Sequence, residues 1–321
     1  MSTTRIFITG LGGHLGTSVA LALDAAGDAT VMGADIDPPR RHLPRTAFER
    51  VPPEDSERLT ALIGDFDPTH VVHLGIYEPH ARSRPGDAHA RSLSATEAVF
   101  RATTECRSLE RVVVRSGIEI YGRRRGSPLG PDEDSAVDPT TPYGRTLRDV
   151  EEFSRSFSRD SGVPVAQLRY APIVGPHIPS PIGRYLRLPV VPVSAIPDPP
   201  FSLLHIEDMT AATIAALEGD WSGPLNVVAE GAVSGSQAVR LGGRVPVPIM
   251  GPLWAFARSI TGLLGSPLPQ HGVEMLTRGR TADGGRAREV LEWDARYSTV
   301  EVVKDLYQWA SVVYMGEREA A

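Results

Sequence analysis

Near the amino terminus, Ile6-Phe7-Ile8-Thr9-Gly10-Leu11-Gly12-Gly13-His14-Leu15-Gly16 narrows the choice of fold more than any other segment. An apolar run with strand composition (Ile6–Thr9) enters a glycine turn and leaves it as a helix-length stretch (Leu15–Ala26). Gly10, Gly13 and Gly16 have G-x-x-G-x-x-G spacing. Such a turn needs unusual backbone angles and lets a pyrophosphate approach the main chain, while the last glycine lets helix pack on strand. The N–H groups at the helix start then hold the phosphates. A second strand, Thr30–Ala34, ends at Asp35, twenty-five residues after Gly10. A carboxylate there accepts hydrogen bonds from ribose hydroxyls and repels a 2′-phosphate, so the site expected is for NAD rather than NADP. Arg40 and Arg41 follow closely and are the competing signal, since arginine grips phosphate. Gly10, Gly12, Gly13, His14, Leu15, Gly16 and Asp35 are the dinucleotide-binding candidates.

Strand and helix patterns alternate through the first half. Ser56–Ile63 reads as helix, His70–Leu74 as strand, Asp87–Glu105 as helix, Arg111–Arg115 as strand, Tyr143–Phe157 as helix and Val165–Leu168 as strand. That rhythm implies parallel βαβ units with right-handed crossovers. Nine prolines then fall between positions 172 and 200, a stretch suited to loops that build a lobe over the sheet. Glu207–Leu217 reads as helix, Leu225–Val228 as strand and Val300–Tyr314 as a closing amphipathic helix. The expectation is an α/β chain: a Rossmann-type doubly wound parallel sheet with a smaller C-terminal substrate-binding lobe. Residues 1–170 form the NAD(P)-binding domain, its sheet completed by segments around 200–230, and residues 171–321 are mainly lobe. Leu253–Leu264 and Met275–Arg280 are expected to close that lobe.

Composition excludes several alternatives. A net charge of −6 gives no basic face for nucleic acid. One cysteine, Cys106, rules out an internal disulfide framework and fits a reducing compartment. No apolar run reaches membrane-spanning length, and a strand opening at Arg5 leaves no room for a signal peptide, so a cytoplasmic protein is expected. Lysine is almost absent (only Lys304) while arginine is abundant, the bias of a GC-rich genome. His80, His177 and His205 lack zinc-type spacing and no metal site is expected; His73, in an apolar strand, reads as a core residue.

Several ordered motifs resemble the extended short-chain dehydrogenase/reductase family, in its NAD-dependent sugar epimerase/dehydratase branch. Thr9–Gly16 resembles its cofactor loop. Val71-Val72-His73-Leu74-Gly75 resembles the strand along the cofactor, which adds Leu74 and Gly75 to the binding candidates. Ser116-Gly117-Ile118-Glu119-Ile120-Tyr121-Gly122 resembles the stretch carrying a catalytic serine or threonine, and Pro142-Tyr143-Gly144-Arg145 the start of a Tyr-x-x-x-Lys helix. Leu168–Pro176 resembles the strand and loop near nicotinamide and substrate, and Leu204–Asp208 a later strand-to-helix junction. The resemblance implies a tyrosine acid/base, a lysine one turn later that lowers its pKa and holds the ribose, and a hydroxyl that binds the substrate oxygen. It also implies a sugar-like small-molecule substrate, and a homodimer built on the helices at 87–105 and 143–157.

Only part of that set is present. Tyr143 matches the tyrosine, and a cofactor contact is implied for it as well. The lysine position is Leu147, and Arg148 points roughly 140° away around the helix. The serine position is Gly117; Ser116 is adjacent but on the opposite face of a strand. Glu119, within a segment resembling a bacterial subgroup that has lost the same residues, is an alternative acid/base. The catalytic candidates are therefore Tyr143, Ser116 and Glu119, with Tyr77 and Glu78 as pocket-lining neighbours. Many nucleotide-sugar members carry Asn where Pro172 stands and Arg where Phe201 stands. Three readings stay open: an oxidoreductase of the epimerase/dehydratase type with a modified site, a non-catalytic NAD(H)-binding regulator, and a lyase or cyclase in the same pocket.

Overall fold

A computed structural model describes residues 4–52, 54–79, 85–124, 126–175, 178–251, 253–254 and 268–308. The central strands are short apolar runs, buried from both sides, which is the composition of a parallel sheet covered by helices on each face. β1 (Thr4–Thr9) lies between β2 (Ala29–Asp35) and β4 (His70–His73). β3 (Thr46–Arg50) extends the sheet beyond β2. On the other side follow β5 (Arg111–Gly117), β6 (Val165–Tyr170) and β11 (Gly223–Val227). All these pairs are parallel. The order β3-β2-β1-β4-β5-β6-β11 reverses direction between β1 and β4, and a crevice opens at their carboxyl ends, where such sheets bind ligands. The doubly wound sheet expected from the sequence is therefore present, and the strand near 225 completes it.

Helices α2 (Ser56–Phe66), α3 (Pro85–Glu105) and α4 (Pro142–Ser161) cover one face. Phe7, Val71, Val112, Val114, Ile63, Val99, Leu147 and Val150 interlock beneath them. The other face packs Ile6, Ile8, Val72, Val113 and Leu225 against α1 (His14–Ala26) and α6 (Ile206–Glu218). α4 begins where it does because the Thr141 hydroxyl accepts the Gly144 N–H and Pro142 fills the first helical position.

Residues 171–308 do not form a lobe alone. Ala287, Leu291 and Trp293, in and after α9 (Gly285–Val290), return to the core under α1 and α6. The lobe has its own apolar centre, which includes Val174, Tyr185, Val191, Phe201, Met275 and Leu306. α5 (Pro181–Leu186), α7 (Gly235–Leu241), α8 (Gln270–Arg278) and α10 (Thr299–Gln308) surround a parallel pair, β8 (Val190–Ser194) and β13 (Val245–Ile249). Two smaller pairs, β7 (Ile173–Val174) with β10 (Leu204–His205) and β9 (Pro200–Phe201) with β12 (Val233–Ser234), tie lobe to sheet. Most of the Leu253–Leu264 segment, and the closing helix beyond Gln308, lie outside the described residues. No described helix is long and apolar enough to cross a membrane.

His73 is fully buried in β4, as expected for a core residue. Its Nδ1 lies 2.6 Å from the Thr9 hydroxyl and its Nε2 2.9 Å from the Thr96 hydroxyl, so a neutral ring satisfies both nitrogens. Burial pushes its pKa from 6.5 down to about 4. The native state thus resists a proton that the unfolded chain takes up near 6.5, and stability is complete above that pH. Between there and about 4 it should fall by up to about 1.4 kcal/mol per pH unit from this residue. Urea unfolding across that range is expected to show the decline, and a His73→Gln chain to lose this contribution to it.

Candidate functional site

The crevice is a continuous cavity of about 1100 Å³. It runs from Asp35 past the glycine turn and Leu74–Ile76 to Tyr143 and Glu119, and ends at Ile178, Leu268, His271 and Met275 in the lobe. A single small-molecule cleft is usually about 300–1,000 Å³. This one has room for a dinucleotide and a second molecule.

At the Asp35 end the absence of side chains sets the geometry. Gly10 has φ +76°, and a Cβ there would lie 2.9 Å from backbone atoms of both Leu74 and Gly75. A Cβ on Gly12 would come within 1.8 Å of the Asp37 carbonyl oxygen, and one on Gly16 within 2.2 Å of the Gly10 carbonyl oxygen. Gly13 sits at the start of α1 without a side-chain cap. The first turn of α1, which includes His14 and Leu15, carries the positive end of the helix dipole. The Asp35 carboxylate accepts from the Gly13 N–H (3.1 Å) and the Ile36 N–H (2.6 Å). Burial raises its pKa, and those N–H groups pull against the rise. Arg40 is folded back, its Nε donating to the Gly12 carbonyl (3.3 Å), whereas Arg41 is exposed. A cradle that any Cβ would fill, an uncapped helix start and a carboxylate at the end of β2 fit NAD.

At the other end Tyr143, in the first turn of α4, is buried and lines the cavity. The Arg115 Nη2 donates to that hydroxyl at 3.1 Å, and Arg115 Nη1 to the Ile76 carbonyl at 3.1 Å. Burial pushes the Tyr143 pKa far up; Arg115 opposes this, while Glu78 and Glu119 reinforce it. His271 of α8 packs on the phenol, ring centres 4.9 Å apart, and its Nε2 is 2.9 Å from Glu78 Oε1. Leu147 is fully buried in the apolar layer, and Arg148 is exposed and paired with Asp149 at 2.9 Å.

Ser116, Glu119 and Tyr143 all border the cavity, but the Ser116 hydroxyl is engaged elsewhere. It donates to Glu151 Oε1 at 2.6 Å, in a buried cluster where Arg169 also holds both Glu151 oxygens. Strand alternation points it away from the face shared by Arg115 and Gly117. Glu119, in a short 3₁₀ turn (Ile118–Tyr121), takes the space of the missing side chain: a Cβ on Gly117 would be 2.5 Å from its Oε2 and 3.1 Å from Leu147 Cδ1. Glu119 Oε1 is 3.1 Å from Nη1 of the buried Arg280, whose Nη2 donates to Glu274 at 2.7 Å. Pro172 lines the cavity, whereas Phe201 is sealed in the lobe core. His205 caps α6 and faces Asp305 at 3.3 Å, and no group of three metal-ligating side chains occurs among the described residues. His80 and His177 lie outside the described residues.

Residues 6–227 match the model of the NAD dependent epimerase/dehydratase family. The chain belongs to that family. It is 31% identical over 244 residues to an uncharacterized protein of Mycobacterium tuberculosis, covering 74% of this chain and 65% of that protein, so it spans about two-thirds of that relative. A UDP-glucose 4-epimerase of Azospirillum brasilense is 28% identical over 191 residues, covering 57% of this chain and 52% of that enzyme. Among solved structures, the UDP-glucose 4-epimerase of Thermotoga maritima superposes with a TM-score of 0.74 at 20% identity, over 95% of this chain and 98% of that one. That likeness confirms the fold, and family membership agrees with NAD as the cofactor. Arg115, His271 and Arg280 escaped the sequence reading. Arg115 alone left a signal, a charged residue two positions before Gly117 on the same strand face.

A Gly13→Ala chain, at an ordinary φ of −69° and with the new Cβ 3.3 Å from the Gly10 carbonyl oxygen, should stay folded yet bind NAD at least tenfold more weakly, about 1.4 kcal/mol, in calorimetric titration. An Asp35→Asn chain should narrow the preference for NAD over NADP in the same experiment.

Proposed function

We propose that this chain is an NAD-dependent epimerase/dehydratase-like oxidoreductase that acts on a hydroxyl or carbonyl carbon of a sugar-like substrate, with Tyr143 as its general acid/base. The observation that carries the reading is the position of Tyr143. It lies on the same cavity as the glycine turn and Asp35, between the part shaped for a dinucleotide and the part closed by the lobe. NAD, when bound, supplies the hydride acceptor. With that acceptor in place, the deprotonated Tyr143 oxygen would take the O–H proton of a carbinol as it is oxidised and return it as the ketone is reduced.

Glu119 stands where the family hydroxyl would be. A carboxyl oxygen there accepts a hydrogen bond from a substrate hydroxyl and orients the carbinol. Ile173, Ile178, Ile182, Leu268 and Met275 give the distal wall an apolar character. With proline at 172 and a buried phenylalanine at 201, this wall lacks two polar groups that many nucleotide-sugar members carry. A sugar or polyol with a less charged substituent than a nucleotide diphosphate suits it better. The exposed faces of α3 and α4, which carry Phe153, are the proposed homodimer surface.

Tyr143→Phe removes one oxygen from the site. Turnover of NAD with a sugar or polyol substrate, found by screening, should drop by about 10²–10⁴-fold while NAD affinity is kept. An unchanged cellular phenotype in Tyr143→Phe, with its loss in Gly13→Ala, would shift the assignment to a regulator that reads cofactor occupancy.

A further inference from the structure

We propose that Arg115 takes over, from strand β5, the work of the lysine that α4 lacks: it is a positioning residue whose guanidinium holds the Tyr143 oxygen and favours its deprotonated form. This rests on Tyr143 being the acid/base, as argued above.

The geometry is that of a fork fixed at two points. One nitrogen donates to the phenol oxygen and the other to the Ile76 carbonyl, just past the carboxyl end of β4, so the guanidinium is oriented as well as charged. The phenol oxygen accepts from Arg115, which leaves its own O–H to point at a substrate. Positions 115 and 117 share a strand face, which carries the cation to the side where the family hydroxyl belongs. The cation next to the lysine position, the other buried arginine at Glu119 and the chain's lysine are placed differently. Arg148 is exposed beside Asp149, Arg280 faces Glu119 and Glu274, and Lys304, the chain's single lysine, lies on α10 in the lobe.

The charged and titratable groups that face Tyr143 come from every element around it. They are Arg115 on β5, Glu78 after β4, Glu119 in the 3₁₀ turn and His271 on α8. Burial, Glu78 and Glu119 raise the phenol pKa, and Arg115 is the member of this set that lowers it. Burial also draws the Arg115 pKa down, but Tyr143, Glu78, Glu119 and Tyr170 hold it above the ordinary arginine value, so the cation persists. Arg115 is thus an obligatory counter-charge in a wall that otherwise disfavours a phenolate.

The experiment reads the phenol itself and needs no substrate. A polyfluorinated tyrosine, whose phenol is more acidic than tyrosine's, is placed at 143 in the full chain, and its ionisation is followed by fluorine NMR. The chain is compared with Arg115→Lys, Arg115→Met and Arg115→Gln versions and with an Arg115→Met, Leu147→Lys double variant. Thermal unfolding and NAD titration report whether each remains folded. The apparent pKa is expected to rise by about one to three pH units in Arg115→Met and Arg115→Gln. Arg115→Lys should stay near the parent, and the double variant should recover part of the rise. An unchanged pKa in a folded neutral variant overturns the proposal. If Arg115→Met does not fold, Arg115→Gln, which keeps a donor for the Ile76 carbonyl, decides alone. Loss of turnover in Tyr143→Phe belongs to the reading of Tyr143 as acid/base, so either claim can fail without the other.

Discussion

The site depends on backbone meeting backbone without side chains between. The turn from β1 into α1 closes because the Gly16 Cα sits against the Gly10 carbonyl and Gly12 against the Asp37 carbonyl, at separations no Cβ could occupy. That contact sets the angle at which α1 leaves the sheet, aims its amino end into the crevice and lets the loop after β2 fold over the turn. Asp35 then reaches the Gly13 N–H. The dinucleotide end of the cavity is thus a product of main-chain geometry, which explains why so few residues there carry reactive side chains.

The opposite end is built from side chains drawn from separate parts of the fold. Tyr143 comes from α4, Arg115 from β5, Glu119 from a 3₁₀ turn, Glu78 from the loop after β4, and His271 from the lobe. Glu78 links two of these, 2.9 Å from His271 and 3.7 Å from Arg115. The lobe therefore contributes both the distal wall and part of the charge balance around the phenol. Family resemblance at the level of the sheet does not carry this arrangement.

What the sequence made legible follows the same division. The glycine turn, Asp35 and the strand–helix rhythm were readable because local spacing dictates them. β3 was not, since Thr46–Arg50 is a short, half-exposed edge strand without alternation. β8 and β13 were hidden by Pro192, Pro246 and Pro248, residues that argue against a central strand but are tolerated in a two-stranded edge pair. The lysine position on α4, Leu147, gives no pointer to Arg115, which lies on a strand. Strand alternation, already used to turn Ser116 away, would have placed Arg115 beside Gly117. The pairing of Glu119 with Arg280 spans more than 150 residues, and nothing local announces it.

Gly117 and Leu147, which stand at the expected serine and lysine positions, are neighbours. A Cβ at 117 would press on Leu147 Cδ1 and on the Glu119 carboxylate, which faces the buried Arg280. Restoring a hydroxyl at 117 alone would meet an occupied space, and restoring a lysine at 147 would set an ammonium group among apolar side chains beside an existing cation. Either single change is thus unfavourable on its own. Positions 117, 119 and 147 form one coupled unit, whose substitutions are expected to be non-additive in their effects.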